Sequence, residues 1–423
     1  MNQANTDPHP RTPHSDMAPP GPELPAPEHP VPELPALEQP DPAQVVGWTE
    51  PGPGAVPVER RARWRSGSGA APPTRVVVAD DRTTAAAAHR LTRAGTALLW
   101  RGDYHNARQL LRALGRRVAA AEPPAATWPD WRRARARRAA LLGRLLVPLD
   151  SAGRVALRRA PEAARACAEA WGPPDGRPAV APLPELLGAI GAHEWRRRGV
   201  PIPALDGDRI HPHHGVFSPV RGEYVDLVAA APLPAAALDL GSALDLGTGT
   251  GVLAAVLARR GIRHVTATDH DPRAVACARE NLARLGLADR TAVHHADLYP
   301  HPAALGRTAL VVCNPPWLPE CPNSPLEHAV YDPDGRMLHG FLAGLAHRLV
   351  PGGEGWLLLS DLAEHLGLRT RAQLLAALDA ARLRVVDRLD TRPTHRRAGE
   401  TADPLHRARS AEVTSLWRLA PPP

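Results

Sequence analysis

Not one of the 423 residues is lysine; all 51 basic side chains are arginine. Aromatic residues make up only 4% of the chain, and the four cysteines (Cys167, Cys277, Cys313, Cys321) show no C-x-x-C spacing. Sparse, scattered cysteines exclude a zinc ribbon or a disulfide framework and point to a reducing, cytoplasmic compartment. No run of 18 apolar residues occurs, and the N-terminus lacks a basic-then-apolar leader. Neither a membrane span nor a secretion signal is therefore expected. His211, His213 and His214 lie close together without a carboxylate or cysteine at ligand spacing, so an exposed turn rather than a metal site is expected there.

Proline is abundant and uneven: 16 of the 49 fall in residues 1–60, which carry nine acids and two arginines. So proline-rich and acidic a stretch cannot offset its ordering entropy by burial. With the near-repeat Pro-Glu-Leu-Pro-Ala at 22–26 and 32–36, residues 1–75 read as a disordered, polyproline-like arm. Residues 101–200 are the opposite, with nineteen arginines against nine acids. Such a field attracts polyanions, RNA or DNA among them. The matching excess of alanine, glycine and proline also fits GC-rich coding, and charge alone leaves both causes open.

Leucines at helical spacing in 83–100 and 104–121, with Gly102-Asp103 between them, predict an antiparallel helical hairpin. A third helix is expected over 131–146, studded with Arg132, Arg133, Arg135, Arg137 and Arg138. These arginines suit phosphate contacts or a solvated face equally well. Residues 76–204 thus read as an arginine-rich helical recognition region.

Beyond 205 the texture alternates. Short apolar runs at 243–246, 264–268, 291–294, 309–313, 355–359, 383–386 and 413–419 are separated, for the first five, by helical stretches. This predicts an α/β domain over 205–423: a doubly wound, mostly parallel, seven-stranded Rossmann-like sheet whose last two strands form an antiparallel edge pair.

The strongest signal is Ala243-Leu-Asp-Leu-Gly-Thr-Gly-Thr-Gly-Val252, a strand running through a glycine loop into a helix. Gly247, Gly249 and Gly251 allow a sharp turn and a close backbone approach to a ligand. The spacing is G-x-G-x-G rather than the dinucleotide G-x-G-x-x-G, and Asp245 precedes it. A carboxylate there repels a pyrophosphate but suits an ammonium. Asp269 ends the next strand 22 residues beyond Gly247, where an acid accepts both hydroxyls of a ribose. Asp297 ends the third strand, placed to receive an adenine amine. An amino acid, a ribose and an adenine together make S-adenosylmethionine.

These residues resemble the class I S-adenosylmethionine-dependent methyltransferases over about half the chain. The resemblance implies that Asp245 and the loop Gly247, Thr248, Gly249, Thr250, Gly251 are the family's first motif, Asp269 its second, and Asp297 with Leu298 its third. The segment His214–Val228 resembles the one that, in glutamine and related nitrogen methyltransferases, covers the methionine end of the cofactor; Phe217, Pro219 and Glu223 are the matching positions. It lacks the second proline and the threonine that release-factor glutamine enzymes carry before the acid.

Asn314-Pro315-Pro316-Trp317 follows the fourth strand, where an open α/β sheet places its ligands. It resembles the Asn/Asp-Pro-Pro-aromatic signature of enzymes that methylate planar nitrogens; Trp317 stands where the glutamine enzymes have tyrosine. The chemistry explains the residue types. A delocalised NH₂ is a poor nucleophile. Asn314 Oδ1 and the Pro315 carbonyl can each accept one of its hydrogens, holding it in line and favouring pyramidalisation. The prolines fix the backbone, and Trp317 offers a face for stacking. Asn314 thus belongs to both the catalytic and the cofactor-facing set. The expected function is an N-methyltransferase acting on a base in RNA or DNA, with RNA favoured. A protein glutamine in a translation factor or ribosomal protein, and a small molecule, are the alternatives.

Overall fold

The computed structural model describes residues 44–52, 54, 56–123, 125–220, 222–301, 306–322, 327–393 and 406–422. Residues 1–43 of the expected arm, with its near-repeat, lie outside them. Two strands nevertheless fall inside the stretch read as arm: β1 (Val45–Pro51) and β2 (Pro57–Trp64) pair antiparallel. Proline density hid them. Alternation carries Val46, Ala62 and Trp64 into one apolar cluster. Pro51 and Pro57 face each other at the turn end of the pair, where an absent N–H is tolerated.

The region read as helical also differs. Helices α1 (Ala85–Arg93), α2 (Tyr104–Ala121) and α3 (Trp128–Leu142) are present. Before, between and after them run β3 (Val76–Ala79), β4 (Ala97–Trp100), β5 (Leu145–Leu149) and β6 (Ala179–Pro182). The six strands form one mixed sheet in the order β1-β2-β6-β5-β4-β3. The expected hairpin of helices is therefore a β-α-β unit, with β3, β4 and β5 parallel. Every residue of β4, β5 and β6 is buried. Strands covered on both faces show no alternation, so their leucines mimic helical spacing.

A two-residue pair, β7 (Val200–Pro201) and β8 (Arg209–Ile210), leads into the second sheet. Its strands are β9 (Ser242–Leu246), β10 (His264–Asp269), β11 (Thr291–His295), β12 (Thr308–Cys313), β13 (Leu349–Ser360), β14 (Arg384–Thr391) and β15 (Thr414–Ala420). Their order, β11-β10-β9-β12-β13-β15-β14, is that of a doubly wound sheet. The first five are parallel, and β15 runs antiparallel to both β13 and β14, as the sequence predicts. Direction reverses between β10-β9 and β9-β12, so the crevice at their carboxyl ends lies between the loop after Leu246 and the turn after Cys313. Apolar cores cover both faces.

A smaller cluster of Trp128, Leu318, Tyr331 and Ala363 joins α3 to this sheet's loops. Among the described residues no helix is long and apolar enough to cross a membrane.

Candidate functional site

The glycine loop leaves β9 and becomes the helix Val252–Arg259 within five residues, through positive φ at Gly247, Gly249 and Gly251. Gly251, at φ +81°, also lies so close to Ala278 that a Cβ would sit 3.2 Å from it. Only glycine meets both demands without strain. A Cβ on Gly249 would meet nothing, so open space faces the loop there. Asn281, which the sequence reading missed, anchors this loop. It is fully buried, donates to the Thr250 carbonyl at 3.0 Å and accepts from the His211 N–H at 2.8 Å. A lone amide in an amphipathic helix gives no pattern by which to find it.

Asp245 is 1% exposed. Its Oδ2 accepts from Thr248 Oγ1 at 2.7 Å and from the Ala254 N–H at 3.1 Å, while Oδ1 is buried without a partner. Burial pushes this carboxyl up to about 6, and the neighbouring Asp269 adds to the rise. Thr248 and Thr250 are buried beside it. Asp269, at the end of β10, accepts from the Gly249 N–H at 3.0 Å and the Asp271 N–H at 2.9 Å, which fixes its carboxylate over the loop.

Asp297 is more open. Its carboxylate pairs with Arg336, and both side chains are largely exposed. Leu298 beside it adopts φ +65°, and its carbonyl accepts from Thr268 Oγ1 at 2.8 Å. Phe217 is exposed, Pro219 is buried, and Glu223 begins the helix Glu223–Ala230. The next residue, Tyr224, is buried; desolvation and then the Asp245 carboxylate raise its phenol pKa.

Asn314 follows β12 directly. Its Oδ1 accepts from Trp317 Nε1 at 3.0 Å, a bond the sequence gives no hint of. An amide oxygen has two lone pairs, so one acceptor position remains. The indole N–H also fixes which face of the amide presents oxygen. Pro315 is buried, and Pro316 and Trp317 are half-buried. Asp332 is buried and accepts from the Met337 N–H at 2.9 Å and the Leu338 N–H at 3.2 Å. Those two N–H groups belong to the first turn of the helix Arg336–Arg348, whose N-cap position is Gly335. Burial raises the pKa of Asp332.

The arginines of α3 do not act alike. Arg132 turns inward: it donates to the Cys321 carbonyl at 2.6 Å, lies 3.4 Å from Glu320, and sits 4.2 Å above the Tyr331 ring. Leu318, next to Trp317, is bridged to Tyr331. This arginine thus ties the N-terminal half to the loop that follows the tetrapeptide. The histidines are not an exposed turn. They are half-buried; His211 Nδ1 lies 2.6 Å from the Arg196 carbonyl and His213 Nε2 lies 2.8 Å from Glu280. Among the described residues no cluster suited to a metal ion occurs.

Residues 208–370 match the family model of the methyltransferase small domain. The chain is 36% identical over 161 residues to a release factor glutamine methyltransferase of Cereibacter sphaeroides, covering 35% of this chain and 56% of that protein. It is 38% identical over 114 residues to a ribosomal protein L11 methyltransferase of Chromohalobacter salexigens, covering 27% and 37%. A tRNA1(Val) (adenine(37)-N6)-methyltransferase of Vibrio campbellii is 37% identical over 75 residues, covering 18% and 31%. The chain therefore spans about half, or less, of the length of these relatives.

Proposed function

We propose that this chain, whose residues 208–370 form a class I, S-adenosylmethionine-dependent methyltransferase small domain, methylates the planar NH₂ of a base in RNA in the cytoplasm. The observation that carries this reading is Asn314. It stands at the carboxyl end of β12, beside the glycine loop of β9, with its amide held by Trp317 and one acceptor position to spare.

The residues fit the cofactor. Asp245 Oδ1 is a buried, unpartnered acceptor, which an amino-acid ammonium satisfies and whose charge it restores. The Asp269 carboxylate serves the ribose hydroxyls. Backbone and hydroxyl groups of Gly247, Thr248, Gly249, Thr250 and Gly251 line the approach. Asp297 and Leu298 would border the adenine, and Phe217, Pro219 and Glu223 would cover the methionine end. S-adenosylmethionine supplies an electrophilic methyl group on a sulfonium.

The protein does the rest by positioning. Asn314 Oδ1 and the Pro315 carbonyl accept the two amine hydrogens, Pro316 fixes the turn, and the Trp317 ring stacks on the planar group. No dedicated base is required, because the nitrogen becomes acidic only after methyl transfer and releases its proton to water. The arginine-rich N-terminal half, docked through Arg132 beside this loop, favours a polyanionic substrate. The adenine-N6 relative is consistent with it.

A second reading, a glutamine side-chain amide of a translation protein, is favoured by the longer match to the release factor enzyme. One experiment separates the two. The protein is incubated with radiolabelled S-adenosylmethionine and cell extract, and the label is fractionated. Label in RNA supports the proposal. Label in protein supports the second reading, and label in small molecules defeats both.

A further inference from the structure

Beside the catalytic loop lies a second concavity that the methyl-transfer chemistry does not use. It is a cleft of about 360 Å³ bounded by Thr127, Trp128 and Trp131 of α3 with its N-cap, by His365 and Leu366, and by Arg407. Its floor is a pair of indoles, Trp128 and Trp131, stacked with centroids 5.0 Å apart and planes 16° from parallel. Trp128 is 7% exposed, and its buried Nε1–H has no partner. Trp131 is half-buried, and Arg135 lies 5.3 Å from its ring. Arg135 and Arg407 are both exposed, and among the described residues neither pairs with a carboxylate. The nearby acid Asp130 is already held by Thr127 and Arg133. Trp128 belongs to the same apolar cluster as Leu318 and Tyr331, so the cleft's wall packs against the loop that follows the tetrapeptide.

We infer that this cleft is a stacking subsite for an unpaired nucleotide flanking the target base, its base against Trp131 and its phosphates between Arg135 and Arg407. The inference rests on the nucleic-acid reading above. An aromatic floor and rim cations without carboxylate partners are the two parts that single-strand recognition combines: a face that accepts any base, and charge that tracks the backbone. A cleft whose wall packs against the loop after the tetrapeptide suits the neighbour of a base turned out of its stack.

The test is fluorescence anisotropy of the full chain with fluorescein-labelled single-stranded RNA of mixed sequence, and with DNA of the same sequence, across a salt series. Trp131→Ala is expected to weaken binding roughly 5- to 150-fold, and Trp131→Phe to recover most of the loss. Arg135→Ala and Arg407→Ala, both at the surface, each reduce affinity and flatten the log–log salt slope by about 0.7. Calorimetry should find S-adenosylhomocysteine bound equally by all of them. Preference for the DNA arm with the same variant pattern supports the subsite and assigns its strand. Wild-type RNA and DNA affinity in the three alanine variants overturns the subsite and leaves the methyl-transfer reading standing. If the unaltered protein binds S-adenosylhomocysteine but neither oligonucleotide, the nucleic-acid reading falls and the subsite with it.

Discussion

The molecule contains two sheets with parallel strands, and their carboxyl edges are finished in opposite ways. In the second sheet the edge is open. A glycine loop and a proline turn end the neighbouring strands β9 and β12, open space faces Gly249, and a buried acceptor on Asp245 waits without a partner. In the first sheet the corresponding edge is sealed. Asp103 after β4 is buried, accepts from the His105 N–H at 2.9 Å and pairs with Arg159 at 2.6 Å and Arg158 at 3.2 Å. The Arg159 hydrogen bond leads the effects that hold its carboxyl at about 2. Asp81 after β3 accepts from the Asp103 N–H and from Asn106 Nδ2. Similar strand geometry yields a site only where the loops leave acceptors unspent. The sealed edge makes the first sheet a scaffold that holds α3 against the open one.

Changes to the open edge should cost function. Asn314→Ala is expected to lower kcat by roughly a hundredfold or more while S-adenosylmethionine still binds, since the lost acceptor acts on the reacting nitrogen. Asn314→Asp keeps an acceptor oxygen and should retain part of the activity. Single-turnover rates beside calorimetry check both. Next, Asp269→Ala removes charge-assisted acceptors for the ribose and should weaken cofactor binding by about 2–4 kcal/mol. Unchanged affinity would remove Asp269 from the site.

The sealed edge should respond in stability instead. A Cβ on Gly102 would collide with Asp81, whose backbone N would be 2.9 Å away. Gly102→Ala is therefore expected to cost about 1–3 kcal/mol in denaturant unfolding, with cofactor affinity untouched. A loss of cofactor affinity would show that the two edges are coupled.

Acidity distinguishes the edges more gently. Asp245 holds its proton up to about pH 6 against the ordinary 3.8. Between those values the folded protein binds a proton that the unfolded chain has released, so this group's contribution to stability falls as pH rises through that window. A bound ammonium favours the carboxylate. S-adenosylhomocysteine affinity should then decline as pH drops below about 6, by at most about tenfold per unit, and Asp245→Asn should flatten the profile. Asp103, already ionised down to about 2, should add nothing to it. The smallest effect is expected at Trp317→Phe, which keeps a stacking face and removes only the bond to Asn314 Oδ1. A two- to tenfold drop in kcat is expected from the loss of one neutral hydrogen bond. A Phe variant as active as the parent would show that the amide needs no such brace.

The open edge was also the legible one. Its strands alternate with capped helices, its glycines and prolines mark the turns, and its acids stand at strand ends, so β9 to β15 could be placed from local pattern. The first sheet defeats the same method for a physical reason. Ala97–Trp100 and Leu145–Leu149 are short and covered on both faces, so Leu98, Leu99, Leu145 and Leu146 carry no periodicity of their own. Val46 and Trp64 belong to strands that proline-rich composition disguised. Contacts across long sequence separations were out of reach altogether. Arg132 reads as one of five arginines on a helix, and only the fold sets it on Tyr331 rather than in solvent. Trp317 reads as a flat ring, and only the turn reveals its N–H as a brace.

The Arg132 contact has a consequence for how the chain is made. Arg132 and Glu320 are 188 residues apart, and synthesis proceeds at roughly 5–20 residues per second. For about 10–40 seconds the finished α3 therefore waits beside the ribosome, with Trp128 uncovered and a guanidinium aimed at partners not yet translated. The first half must be soluble in that unfinished state, and its dense arginines supply the charge that keeps it so.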